Sequence, residues 1–224
     1  MKNINEVCII VQARLGSQRV PQKMIKPFAE TTLTDIALEK IKQCKAFPLK
    51  NFYLSAWEGE LRNIAETHSL NVFYRSEKSA KSEGTPMTEM YEWWDKLPFK
   101  YCVLINACAP FLNPETIDNF ITSYCKSDSD GMFGVVEKKN YFWDHNKDLL
   151  TPLTEAVMNT KTAKPMFEAA HCLYAGRMDK IGNGVWMGDF NTPGEIELFT
   201  MEEEEIFDID YEWQFNMAES LYFC

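Results

Sequence analysis

The stretch that decides the fold is Val7-Cys-Ile-Ile-Val11, followed by Gln12-Ala-Arg-Leu-Gly-Ser-Gln-Arg-Val-Pro-Gln-Lys23. The apolar run has the length and composition of a buried strand, and it ends in a loop that carries small residues and cations. Backbone N–H groups in such a loop can bind phosphate oxygens, and Arg and Lys side chains offset their negative charge. We therefore predict a strand that leads into a nucleotide phosphate loop.

Short apolar runs alternate with amphipathic segments through the first half of the chain. They predict strands at 7–11, 51–56, 71–75, 101–106 and 131–136. Helices are expected at 34–43 with Thr34 as the cap, at 58–68, at 85–97, and after Asn113-Pro114-Glu115. This alternation predicts an α/β fold with a three-layer, mostly parallel sheet. Because ligands bind at the carboxyl ends of such strands, the segments after Arg75 and Asn106 are expected at the same edge as the loop.

The alternation of apolar runs and amphipathic segments is interrupted from residue 138 to about 164, where aromatic and polar residues are mixed. Further strands are predicted at 167–175 and 195–201. The chain is interpreted as one domain, 1–224, with residues 138–170 as a protruding lobe or insertion.

Composition limits the possible classes of protein. A chain of 224 residues with 46% hydrophobic and 25% charged residues is typical of one globular domain, and no apolar run is long enough to span a bilayer. The net charge of −10 argues against a nucleic-acid binder. The N-terminus lacks the layout of a secretory signal, so a cytoplasmic location is expected.

Two residue groups are interpreted as structural. Seven cysteines without a CxxC pair are expected to be reduced thiols, and the three histidines show no zinc spacing. The acidic run from Glu202 to Glu205 is expected to be a solvated turn or strand edge.

Asp208 and Asp210 form a second candidate motif near the C-terminus. In an extended segment, residues i and i+2 point to the same face, so both carboxylates could bind one Mg²⁺ together with substrate phosphates and water. The alternative is that Asp210 only caps the following helix, which carries Tyr211, Phe215, Ala218 and Tyr222.

The pattern Ala13-Arg14-x-Gly16-Ser17-x-Arg19-Val20-Pro21-x-Lys23 resembles the signature of the sugar cytidylyltransferases. That group includes acylneuraminate cytidylyltransferase and the spore-coat polysaccharide cytidylyltransferase-like proteins. Asp208-x-Asp210 followed by an acidic and aromatic helix resembles their C-terminal metal motif. The resemblance implies a Rossmann-like nucleotidyltransferase fold with a small dimerisation lobe, a homodimer, and CTP and an acidic sugar as substrates.

The resemblance also implies roles for individual residues. The expected nucleotide contacts are Ala13, Arg14, Gly16, Ser17, Lys23 and Arg75, with Arg14 and Lys23 on the triphosphate. Thr85 is expected either to cap the next helix or to touch the ribose. Asn106 is expected at the sugar, and His171 stands where sialate-type members tend to have Asn-Gly; a partly buried structural histidine is the alternative. Asp208 and Asp210 are the expected metal ligands.

The predicted activity is transfer of CMP from CTP to the anomeric hydroxyl of an acidic, sialic-acid-like 2-keto sugar, with release of pyrophosphate. Arg14, Lys23 and Asp210 are the expected catalytic residues, and Mg²⁺ is the expected cofactor. One alternative is a nucleotidylyltransferase or an Asp-x-Asp glycosyltransferase that uses another nucleotide. The other is a non-catalytic nucleotide-sugar-binding dimer, favoured by Ala170-His171 and by Gln22-Lys-Met24.

Overall fold

A seven-stranded sheet organises the chain. The computed structural model describes residues 1–81, 84–153 and 157–222. The strands are β1 (Val7–Gln12), β2 (Phe52–Ala56), β3 (Val72–Tyr74), β4 (Tyr101–Ile105), β5 (Gly131–Lys138), β6 (Met166–Arg177) and β7 (Ile196–Thr200). The helices are α1 (Leu33–Gln43), α2 (Gly59–Thr67), α3 (Met87–Met90), α4 (Pro114–Lys126), α5 (Met178–Ile181) and α6 (Glu212–Tyr222).

The strand order is β3-β2-β1-β4-β6-β5-β7. Neighbouring strands pair in parallel except at β6, which runs antiparallel to both β4 and β5. The predicted α/β class with a mostly parallel sheet is thus confirmed. Because β6 is reversed, the middle of this long strand meets the carboxyl end of β4, where Leu173 pairs with Ile105.

Strand β1 lies at the centre of the layers and is buried on both faces. Ile9 and Val11 belong to the larger apolar cluster with helices α1 and α4, whereas Cys8 and Ile10 pack in a second cluster with Trp93. Burial on both faces explains why this strand is a continuous apolar run without alternation. The carboxyl end of β1 is therefore fixed rigidly, and so is the start of the loop that follows it.

The N-cap of helix α1 is Thr32, two residues before the expected cap Thr34. Thr32, in an extended conformation, accepts a hydrogen bond from Asp35 N, and its hydroxyl donates to the Asp35 carboxylate at 2.6 Å. Thr34, the predicted cap, is buried in the first turn and donates to Met24 O at 2.7 Å. The prediction was wrong because Thr32 and Asp35 have the spacing of a reciprocal cap, which local apolar periodicity does not reveal.

The helix expected at 85–97 is replaced by the single turn of α3 and a 3-10 turn at Glu92–Trp94. Pro86 occupies the cap position without a side-chain bond, so Thr85 does not cap a helix. Trp93 is fully buried and donates its Nε1–H to Gln12 Oε1 at 2.9 Å. A tertiary contact of this bulky side chain prevails over the weak helical periodicity of the segment.

Glu205 differs from the solvated acid that the sequence predicted. It is buried and accepts hydrogen bonds from Asn113 Nδ2 at 2.7 Å and from Thr116 Oγ1 at 2.8 Å, whereas Glu203 and Glu204 are exposed. Asn113 is the residue before α4, as expected, but its side chain makes no capping bond. A carboxylate distant in sequence thus supplies the negative charge that favours this helix N-terminus.

The segment between β5 and β6 is irregular, and the described part contains one isolated bridge, Trp143 to Leu149. It exposes several apolar side chains, namely Trp143, Leu150, Leu153, Val157 and Met158, followed by Phe167 at the start of β6. Six cysteines are free thiols, and Cys224 lies outside the described residues. No helix in the described part of the chain has both the length and the apolar character required to cross a bilayer.

Candidate functional site

The loop after β1 is fixed at both of its ends. Ala13 N donates to Ser55 O at 3.0 Å, which extends the pairing of β1 with β2 by one residue. Leu15 N donates to Glu58 Oε1 at 2.8 Å. Farther along, Val20 and Met24 are buried in the apolar core. The polar residues between these anchors are therefore held at the carboxyl edge of the sheet.

The loop also carries backbone donors that remain available to a ligand. Ser17 N donates to Leu15 O at 2.8 Å, which closes a tight turn. Within residues 1–81, 84–153 and 157–222, the N–H groups of Arg14, Gly16 and Gln18 have no hydrogen-bond acceptor. Free backbone N–H groups beside cations are an arrangement that can bind phosphate oxygens.

A cavity of about 360 Å³ lies against this loop. Its walls include five of the predicted nucleotide contacts: Ala13, Arg14, Gly16, Ser17 and Lys23. Asp210, from the far end of the chain, lines the same cavity. The two sequence motifs therefore converge on one space, as the predicted activity requires.

Asp210 faces the loop cations. Its Oδ1 accepts a hydrogen bond from Arg19 Nη2 at 2.6 Å and lies 3.8 Å from Lys23 Nζ. The backbone N–H groups of Asp210 and Tyr211 donate to Gln214 Oε1, each at 2.8 Å. Gln214 thus binds the two residues that precede α6, and among the described residues no backbone N–H of α6 donates to the Asp210 carboxylate, so the capping alternative is not observed.

Lys23 is held almost without freedom. Its side chain is only 10% exposed, and Nζ donates to the backbone oxygen of Ile209. Ile209 is fully buried, and its N–H donates to Cys108 O at 3.0 Å. Lys23 and the Asp208–Asp210 segment are consequently positioned as one unit, because Ile209 connects them through backbone atoms.

Asp208 is partly buried, as is Asp210. Burial raises the pKa of Asp208, and the neighbouring charge of Asp210 raises it further, whereas Lys23 and a hydrogen bond from Asn106 lower it. Two carboxylates that repel each other in a poorly solvated site favour a bound cation. No group of three or more His, Cys, Asp or Glu side chains in the described ranges could hold a metal. Mg²⁺ usually takes one or two protein carboxylates and completes its shell with phosphate and water, so two neighbouring carboxylates are compatible with this ion.

Asn106 uses its side chain within the protein. Its Nδ2 donates to His171 O at 3.0 Å and to Asp208 Oδ1 at 3.3 Å, and its Oδ1 accepts from Cys108 N at 2.9 Å. Asn106 also borders a second cavity of about 290 Å³. It thus links strands β4 and β6 to Asp208 at the edge of that cavity.

Arg75 and Thr85 lie outside the loop cavity. Arg75 is 4% exposed, and its Nε donates to Ser79 Oγ at 3.1 Å. Burial lowers its pKa to about 10, and the charge of Glu58 opposes that shift. Thr85 Oγ1 donates to Lys78 O at 3.3 Å. The structure therefore does not place these two predicted contacts on the wall of the loop cavity.

His171 is exposed and lies in β6, two residues before Leu173, which pairs with Ile105 at the carboxyl end of β4. Its backbone φ is +54°, a conformation that non-glycine residues seldom adopt. Its Nδ1 lies 3.5 Å from Tyr174 Oη, and Tyr174 lines the second cavity. The imidazole therefore contacts one residue of that cavity wall, although His171 itself does not line the cavity.

Sequence reasoning missed two residues that shape the site. Gln12 lines both cavities, and its Oε1 accepts hydrogen bonds from Trp93 Nε1 and, at 3.4 Å, from Ser55 Oγ. Glu58 anchors Leu15 through one oxygen, whereas its Oε2 is buried without a hydrogen-bond partner among the described residues. The only signal for Gln12 was a polar residue that directly follows a buried strand, and Glu58 gave none.

Comparison with known proteins gives the family. The sequence model of a family described as "Cytidylyltransferase" matches residues 8–221. The spore coat polysaccharide biosynthesis protein SpsF of Bacillus subtilis is 26% identical over 130 residues, which are 57% of this chain and 53% of that protein. The 3-deoxy-manno-octulosonate cytidylyltransferase of Rickettsia felis is 28% identical over 136 residues, 59% of this chain and 52% of that one. The matches thus span about half the length of these curated relatives.

Solved structures share the fold at low sequence identity. A CMP:2-keto-3-deoxy-manno-octonic acid synthetase complexed with CTP superposes with a TM-score of 0.68 and 12% identity, covering 97% of this chain and 98% of that chain. A cytidylyltransferase from Leptospira borgpetersenii gives a TM-score of 0.63 and 15% identity, covering 98% and 88%. With the match over residues 8–221, the conclusion is that the chain belongs to the cytidylyltransferase family.

Proposed function

We propose that this protein transfers CMP from CTP to the anomeric hydroxyl of an acidic 2-keto sugar and releases pyrophosphate. The observation that carries the proposal is the single cavity shared by Arg14, Lys23 and Asp210, whose sequence positions span most of the chain. The names of the Rickettsia felis relative and of the synthetase with the same fold support CTP and an acidic sugar as substrates.

The loop supplies the binding of the triphosphate. The N–H groups of Arg14, Gly16 and Gln18 make no hydrogen bond among the described residues, so they would be available to phosphate oxygens, and Arg14 would add a charged fork. Lys23 is already ordered by Ile209, so its charge loses little freedom when it stabilises the departing pyrophosphate. Transfer at phosphorus depends mainly on position and charge neutralisation, so no covalent nucleophile from the protein is needed.

Asp208 and Asp210 would hold the Mg²⁺, and Asn106 would keep Asp208 oriented. When bound, the ion supplies charge neutralisation at the phosphates and makes an adjacent hydroxyl more acidic. Arg19 pairs with Asp210 in this structure, so it is the nearest cation that could move from the carboxylate to a phosphate oxygen.

The second cavity is the proposed place of the acceptor sugar. It adjoins the loop cavity through Gln12, and its wall includes the aromatic side chains of Tyr91, Tyr174 and Trp186. Aromatic walls with a few amide groups suit a sugar, which presents both apolar C–H faces and hydroxyls. The acceptor hydroxyl would then approach the α-phosphorus from the β4 and β6 side.

The homodimer and the cytoplasmic location belong to the same proposal. Exposed apolar side chains between β5 and β6, such as Trp143, Leu150 and Phe167, support an interface formed by that lobe. Sedimentation at several protein concentrations tests the dimer, and a monomer at all concentrations contradicts it.

Two measurements test the activity. Thermal shift with CTP, UTP, GTP and ATP, each with Mg²⁺, should show the largest stabilisation with CTP. Pyrophosphate release with CTP and either 3-deoxy-manno-octulosonate or N-acetylneuraminate should then exceed release without sugar, with a CMP-sugar detected by mass spectrometry. Preference for another nucleotide supports the alternative nucleotidyltransferase, and CTP stabilisation without turnover on any acidic sugar supports a non-catalytic binder.

A further inference from the structure

Strand β6 contains a large bulge at the site. Phe133 pairs with Tyr174 and Val135 pairs with Ala169, so two steps along β5 correspond to five along β6. His171 lies within the three extra residues and has the positive φ of +54°. Bulges near sites re-aim side chains, and residues in sparsely populated backbone regions occur there because the surrounding structure holds them.

Asn106 holds the bulge in place. Its Nδ2 donates to His171 O, and its backbone N donates to Cys172 O at 2.9 Å. The same Nδ2 also donates to Asp208. One amide group thus joins the backbone of His171 to the carboxylate of Asp208. The position of the His171 backbone is therefore fixed relative to Asp208.

The imidazole faces few other groups. Tyr174 Oη lies 3.5 Å from Nδ1, and the Phe133 ring approaches edge-on at 6.2 Å between centroids. Asp208 is close enough for a charge on His171 to lower the Asp208 pKa, but no ion pair joins them. Phe133 carries no charge, and neither does Asn106, which binds the backbone oxygen of His171. Nε2 has no hydrogen-bond partner in the described part of the chain, although the side chain is exposed.

We propose that His171 accepts the proton of the attacking anomeric hydroxyl, an inference that rests on the proposed function. In the tautomer whose Nδ1–H donates to Tyr174 Oη, the Nε2 lone pair is free for that hydroxyl. The O–H bond breaks as the oxygen forms its bond to the α-phosphorus, the bond from that phosphorus to the bridging oxygen breaks, and pyrophosphate leaves. The proton passes to His171 Nε2, and the exposed ring can then release it to water.

Substitution can remove the imidazole without disturbing the bulge. Glycine and asparagine both tolerate positive φ, so His171→Gly and His171→Asn should retain the backbone and the hydrogen bond to His171 O from Asn106. His145, in the irregular segment between β5 and β6, provides the matched control as His145→Asn. Thermal unfolding of all three variants checks that they fold.

The expected result is a fall in kcat of about 10²- to 10⁴-fold for both His171 variants, with KM for CTP changed less than about threefold. Free imidazole should restore part of the turnover of His171→Gly. His145→Asn should have normal activity, and imidazole should not change it. A merely structural histidine would not respond to imidazole.

Full turnover by folded His171→Gly, or a loss that imidazole does not restore, overturns the role of His171. These outcomes differ from failure of the proposed function, in which the parent protein itself forms no CMP-sugar from CTP and either acidic sugar. In that case this inference is also overturned. Comparison of the parent and variant reactions under the same conditions therefore separates the two failures.

Discussion

The nucleotide loop and the acceptor edge lie side by side, yet they are constructed in different ways. The loop cavity is formed mostly by residues 12–24, a contiguous stretch that follows one buried strand. The acceptor edge joins Asn106, His171 and Asp208, which come from three separate parts of the chain. A local motif thus encodes the first region, whereas only the reversed strand β6 and the returning C-terminal segment create the second.

Asp210 belongs to both regions, so its removal gives the largest expected effect. Asp210→Ala should fold and lower CMP-sugar synthesis by roughly 10³-fold or more, since metal binding is worth several kcal/mol of transition-state stabilisation. Glu212→Ala is the control, because Glu212 pairs with Lys26 outside the cavity wall. Turnover by Asp210→Ala at the parent rate would remove the proposed metal site and break the link between the two regions.

Arg14 tests the loop alone. Arg14→Ala should lower kcat/KM by roughly 100-fold, or about 3 kcal/mol, and weaken CTP binding in calorimetry, by analogy with removal of an oxyanion donor. Arg62→Ala, on helix α2, is the control for loss of an arginine elsewhere. Unchanged CTP affinity in Arg14→Ala would show that the loop does not bind the triphosphate as proposed.

Glu58 tests how the loop depends on its support. Glu58→Ala leaves Leu15 N without its acceptor and removes the carboxylate that stabilises the charge of Arg75. The free energy of unfolding should fall by about 1–3 kcal/mol, and KM for CTP should rise about tenfold. Glu58→Gln retains an acceptor oxygen, so its stability and its KM should lie between those of the parent protein and those of Glu58→Ala. Glu60→Ala, at an exposed site on α2, should change neither quantity. Equal behaviour of Glu58→Ala and Glu60→Ala would contradict a supporting role.

Lys40 gives the smallest expected effect and concerns the acceptor edge. Its Nζ donates to the backbone oxygens of Ala109 and Pro110, and burial lowers its pKa to about 8. In the unfolded chain the pKa of Lys40 is near 10.4. Between pH 8 and pH 10.4 the unfolded chain therefore binds more protons at Lys40 than the folded protein does, so the free energy of unfolding rises with pH across this range. From pH 7 to pH 9.5, the Tm of the parent should therefore rise by about 2–4 °C relative to Lys40→Met. A constant difference, as expected for the exposed control Lys42→Met, would contradict this.

Several elements were predictable because their signals are local. The continuous apolar run of β1 and the Asn113-Pro114 start of α4 are each contained in a few adjacent residues. The helix at 85–97 was not predictable, since the burial of Trp93 against Gln12 involves residues about 80 positions apart. Thr32 in place of Thr34 shows that apolar periodicity finds a helix more reliably than its cap.

Some residues of the candidate site could likewise be predicted from local sequence, whereas others could not. Ala13, Arg14, Gly16, Ser17 and Lys23 were found together because they share one loop, and the structure places them on one cavity wall. Arg75 was chosen for its position after β3, but the direction of its side chain, inward to Ser79, depends on the loop that covers it. The role of Glu58 could not be inferred, because its partner Leu15 lies in a different loop.

The amino-acid order by itself determined the α/β class, the cationic loop after β1 and the pair Asp208 and Asp210, because each depends on neighbours within a few residues. Only the tertiary structure decided that Asp210 faces Arg19 and Lys23, that Glu205 lies against the start of α4, and that His171 stands in a bulge near Asp208. These contacts join residues far apart in the chain. They form only when packing of the apolar layers fixes the strand order and direction, which no local pattern specifies.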